Sequence, residues 1–163
     1  MGTVTTLAGG KTAGRTAGSV PYLVDNTIDI AVWAATEGAP LVAGDIVEAI
    51  TVPANTLVLN AGIEVITAVD GSASADNAWD LGVTGVDPDV FVDAFALDEA
   101  AAGDYAQNAA AYQPIVIASQ DTIDLLCQAA TTAPVSGVVR VWAVLMDIDG
   151  RIAADEVARD VLA

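Results

Sequence analysis

Apolar positions recur along much of this chain with a period of two. Ile28, Ile30 and Val32 bracket Asp29, and Ile63, Val65 and Val69 lie around Glu64. Ile123, Leu125 and Cys127 alternate with Thr122 and Asp124. Successive side chains of a strand point to opposite faces, so this alternation predicts half-buried β-strands. Val138 to Met146 is apolar at every position except Arg140, which predicts a central strand. Turn-forming residues separate the runs: Glu37 to Pro40, Val42 to Asp45, Pro53 to Asn55, Asn60 to Gly62, Asp70-Gly71, Gly85 to Pro88 and Ala133-Pro134. Many short strands joined by tight turns predict an all-β domain, an antiparallel β-sandwich or barrel.

Three stretches depart from that pattern. Residues 1–19 are rich in Gly, Thr and Ala, lack aromatic residues and carry Lys11 and Arg15, which predicts a flexible N-terminal arm ahead of a single domain over 20–163. Asp98 to Ala111 has a helical alanine content, but Gly103 interrupts it and its apolar spacing is not amphipathic; an ordered loop with at most one helical turn is expected. Residues 153–162 place Asp155 and Glu156 in a first turn, Arg159 near the end, and Val157 and Val161 one turn apart, which predicts a short C-terminal helix.

Composition narrows the chemistry. The 163 residues include 22 acidic and 5 basic side chains, a formal net charge of −17, with no histidine and one cysteine. Between Thr16 and Val139 there are 17 carboxylates and no cation. Such a body repels phosphate backbones and anionic lipid, so neither nucleic acid nor membrane is an expected partner. Without histidine there is no His-based triad and no imidazole metal ligand. Cys127 sits in an apolar stretch, where a thiol serves as a small buried hydrophobe more often than as a nucleophile. The N-terminus has no basic start followed by an apolar run of signal-peptide length, and no stretch reaches 18 apolar residues; the expectation is a protein made and kept in solution. So little lysine beside so many carboxylates also suits saline surroundings, where screening weakens self-repulsion.

Several local patterns invite a site. Gly9-Gly10-Lys11-Thr12 ends like a phosphate loop, yet no apolar strand precedes it and no helix pattern follows. Asp147, Asp149, Gly150, Ile152 and Glu156 match part of a calcium loop, but its first position falls on Leu145 in the apolar strand, so a turn is the better account. Asp87, Asp89 and Asp93 place three carboxylates within seven residues; a loop could gather them around calcium, against the plainer reading of a proline turn entering a strand. Arg140, alone in the most apolar strand, is expected to be buried and paired in a structural salt bridge to a neighbouring strand or an adjacent subunit. Trp33, Trp79 and Trp142 could stack on sugars or anchor a core that has 8 aromatic residues in all.

A wider resemblance rests on Thr51 to Val58, Gly62 to Val65, Trp79 to Val83, Asp87 to Asp93, Gly103 to Tyr105 and Gly137 to Trp142. In its strand ends and turns this arrangement resembles the small, jelly-roll-like β-sandwich proteins that decorate or cement tailed-phage heads. The resemblance implies a non-enzymatic virion protein on the capsid exterior, assembled in the host cytoplasm. It further implies copies associated as homotrimers and bound to the major capsid protein, with Lys11 and Arg15 of the arm as capsid contacts. No cofactor follows from it. The acidity and the C-terminal helix depart from the family pattern. Two competing functions are a receptor- or carbohydrate-binding module of a phage fibre or tail, and an enzyme working with carboxylates alone.

Overall fold

The computed structural model describes residues 20–39, 41–70, 78–97, 99–110, 112–129 and 134–148. The predicted arm over 1–19 and the predicted helix over 153–162 lie outside them. Along the chain come β1 (Tyr22–Asp29), α1 (Ile30–Glu37), β2 (Ile46–Val52), β3 (Thr56–Asp70), β4 (Ala78–Val83), β5 (Asp87–Ala96), β6 (Tyr105–Gln107), β7 (Ile115–Ile117), β8 (Asp121–Ala129) and β9 (Ser136–Asp147).

The strands form two antiparallel sheets. One has the order β1-β9-β3-β6, with β7 also on β3; the other has the order β2-β8-β4-β5. Four antiparallel ribbons account for this arrangement: β1 with β9, β2 with β8, β3 with β6 and β7, and β4 with β5. Wrapping that long ribbon brings β9 against β3 and β8 against β4. Outer strands of the ribbon thus become inner strands of the sheets, the arrangement of a jelly roll. β6 and β7 share one place in it, pairing with Gly62–Glu64 and Thr56–Val58 of the same long β3.

Burial follows the alternation. Val139, Val141, Ala143 and Leu145 of β9 face inward against a core that also holds Ile123, Leu125 and Cys127 of β8 and Trp79 and Leu81 of β4. β9 lies between β1 and β3, the central place its sequence predicted.

Three local expectations are corrected. The alternation at Ile28, Ile30 and Val32 does not continue as strand, because Asp29 caps a helix: its Oδ1 accepts from the amides of Ala31 and Val32 at 2.9 and 3.1 Å. Alanine at 31, 34 and 35 then favours α1, and Gly38 ends it in the left-handed region at φ 75°. The turn expected at Asn60 to Gly62 is strand, since β3 runs through it with a register shift between Val58 and Asn60. Finally, the loop expected over Asp98 to Ala111 contains β6. Its turn is built by Asp104, whose Oδ2 accepts from the Ala101 amide at 2.8 Å, and the next residues then pair with β3.

Candidate interaction surfaces

The two sheets present different outer faces. On the outside of the β2-β8-β4-β5 sheet, Asp124 lies opposite Glu48 on one side and Gly82 on the other. Asp80 and Asp124 are almost fully buried, at 2% and 5% exposure, with Ala94 hydrogen-bonded to the first and Thr84 to the second. Gly82 permits close approach of the following chain: a Cβ there would collide with the Asp87 carbonyl and the Pro88 backbone. Thr84 donates its hydroxyl to Asp124 Oδ2 at 2.5 Å, and the Ala94 amide donates to Asp80 Oδ1 at 2.8 Å, holding Ala94 at φ 50°. Desolvation raises the Asp80 pKa above its ordinary value; the Ala94 hydrogen bond opposes this and the charge of Asp93 adds to it.

Asp87, Asp89 and Asp93 are strung along β5 rather than wrapped into a loop. Asp89 has a raised pKa, first because it shares a hydrogen bond with Asp87 that favours its protonated form, then through desolvation and the charge of Asp87. Asp93 acts on it only as a more distant charge. Among the described residues no three or more carboxylate or thiol groups gather closely enough to hold a metal ion.

The outside of the other sheet carries an apolar area at one end and an ion pair at the other. Met146 of β9 lies beside Leu57 of β3, which in turn lies beside Val116 of β7; Val144 lies between Leu23 of β1 and Asn60 of β3, and Trp142 between Asp25 and Gly62. Gly62 makes room for the indole, as a Cβ there would stand 2.7 Å from Trp142 Cζ2. Arg140 closes this row toward α1. Its Nε donates to Glu64 Oε2 at 2.9 Å, and Nη2 donates to the same oxygen. The guanidinium is not buried as the sequence suggested, since its side chain is 41% exposed; the outward register of β9 puts it on the sheet's surface. Lys11 and Arg15 lie outside the described residues.

A groove of about 590 Å³ runs between α1 and β2, lined by Trp33, Glu37, Asp45, Ile46, Val47 and Glu48. An indole face beside carboxylates suits a lysine or arginine side chain. Sequence reasoning missed this groove because it read α1 as strand; the Trp33/Glu37 spacing of one helical turn was the available signal. The tryptophans make no common platform: Trp33 is on α1, Trp79 is in the core and Trp142 is on the outer face of β9. Cys127 is buried, and desolvation, with the charge of Asp45, pushes its pKa up to about 11, which keeps the thiol protonated at neutral pH. Among the described residues no helix is long and apolar enough to cross a membrane.

No family model matches the sequence, and no curated protein matches it. The backbone, however, is similar to chains of solved virus structures. One belongs to the capsid of Ralstonia phage GP4, with TM-score 0.59, 16% identity and coverage of 85% of this chain and 88% of that one. The fold is one found in phage capsids. A chain of the cyanophage Pam1 capsid asymmetric unit superposes with TM-score 0.57 at 16% identity, covering 84% of this chain and 91% of its own length. A chain from the acidic stable capsid structure of Helicobacter pylori bacteriophage KHP30 gives 0.51 at 16% identity, covering 80% and 89%.

Proposed function

We propose that this protein is a non-enzymatic structural component of a tailed-phage virion that binds the outside of the capsid and braces the head. The observation carrying this reading is the jelly roll itself, matched over most of its length by chains of three phage capsid structures. The surfaces support it. A buried thiol, carboxylates occupied in holding turns, and tryptophans in three separate places, one of them the core, offer contacts and packing rather than a reaction centre.

In this reading the partner is the major capsid protein. A basic patch on it meets the acidic groove between α1 and β2, and Lys11 and Arg15 of the N-terminal segment pair with capsid carboxylates. Copies associate with one another, as homotrimers, on the head exterior after assembly in the host cytoplasm.

The test is to add purified protein to heads that lack it and measure co-sedimentation and resistance to heat. Saturable binding at fixed lattice positions, with a higher disruption temperature for the decorated heads, is the expected outcome. No binding at any ratio would sink the reading. Deleting residues 1–19 is expected to lower occupancy, and unchanged occupancy would remove that segment as an anchor.

A further inference from the structure

We infer that the outer face of the β1-β9-β3 sheet is the surface through which two copies of this chain meet; the inference rests on the self-association proposed above and names its location. In a two-layer sandwich the outward side of each strand faces water and is expected to be polar. Here the outward residues Leu23, Leu57, Val116, Trp142, Val144 and Met146 form an apolar area across four neighbouring strands, in which Asn60, opposite Val144, is the polar member. Leu23 and Val116 are 61% and 54% exposed. An apolar area spanning neighbouring strands marks an interaction site more than a chance surface residue does.

Charge decides the occupant. Two copies, each with a formal charge of −17, repel wherever carboxylates face one another. On this face the Glu64 carboxylate is neutralised by Arg140, the one cation among the described residues, and Asp25 stands at the β1 margin. It is therefore the described surface on which a like-charged copy meets least repulsion. A basic partner, by contrast, finds its carboxylates at the α1 groove and along β5, not here. With strands ~4.8 Å apart and a rise of ~3.4 Å per residue, the area measures roughly 14 by 14 Å between backbone positions. A standard interface needs about 800 Å² per partner, so this is the centre of a contact completed by its rim, and association depends on concentration.

The experiment is sedimentation of the full-length protein across the micromolar range, with Leu23→Glu and Val116→Glu against the control Val86→Glu. All three positions are exposed, and Val86 lies in the turn between β4 and β5. Melting curves confirm that each variant folds. Expected is a self-association at least ~10-fold weaker for the two face variants and within about twofold of wild type for the control, as like charges buried in an interface are costly. An oligomer that survives both face variants, or that the control weakens equally, overturns this assignment while leaving oligomerisation standing. A wild-type mass that stays at 16.4 kDa throughout overturns self-association itself. If that monomer loses binding to heads on Leu23→Glu, the face belongs to the capsid protein, which also overturns the assignment.

Discussion

The outer faces of the two sheets solve the same problem in opposite ways. On the β2-β8-β4-β5 side the chain covers its own surface: Gly82 lets Asp87 and Pro88 come close, and the buried carboxylates of Asp80 and Asp124 fasten the returning segment through Ala94 and Thr84. On the β1-β9-β3 side nothing of the described chain returns, and Trp142, Val144 and Met146 point outward. One sheet makes its outward polar contacts largely with its own chain, whereas an apolar face that no described segment covers gains by meeting another surface.

The sharpest way to break this contrast is at its two glycines. Gly82→Ala forces backbone against backbone and is expected to cost about 3 kcal/mol in urea unfolding, at the upper end of overpacking effects. Gly62→Ala meets the Ala106 carbonyl and the edge of the Trp142 ring, each at 2.7 Å; the ring can swing outward but the carbonyl moves only with the short edge strand β6, so a loss of about 1–3 kcal/mol is expected. Equal losses would mean that the two faces are equally constrained. Asp124→Ala strips Thr84 of the partner for its hydroxyl and amide and should cost about 1–3 kcal/mol.

Asp80 sharpens the comparison through pH. Burial raises its pKa in the folded state, so the stability linked to its protonation is present below the ordinary value of 3.8 and is lost as pH rises through the higher folded value. Asp80→Asn keeps an oxygen for the Ala94 amide and removes the charge. The variant should melt higher than wild type at neutral pH, with the gap closing below pH 3.8; a gap that is constant with pH would show that the carboxylate carries no burial penalty. The smallest effect belongs to the open face. Arg140→Ala removes a half-exposed ion pair and is expected to cost ~0–1 kcal/mol, shrinking further in high salt. A loss above about 2 kcal/mol would mean the pair is structural after all.

Much of this architecture was legible along the chain. The alternation in β8 and the unbroken apolar run of β9 marked strands on opposite sides of one core, because period two registers directly which side chains are buried. The helix α1 was not legible as such: Ile28, Ile30 and Val32 fit a strand, and the cap at Asp29 overrode the alternation by satisfying two amides at once. The groove that α1 forms with β2 was lost with it. Arg140 was read as buried because its neighbours are apolar on both sides, a pattern that does not distinguish a covered outer face from an open one.

From sequence alone follow an acidic body without histidine, a strand-dominated domain and a run destined for the middle of a sheet, since charge and alternation are properties of residues and their nearest neighbours. Only the tertiary structure decided that Arg140 meets Glu64, 76 positions away, that Asp80 and Asp124 are sealed in, and that no described segment covers one face of β9. Those outcomes depend on how the ribbon wraps, which brings together strands that no local pattern pairs.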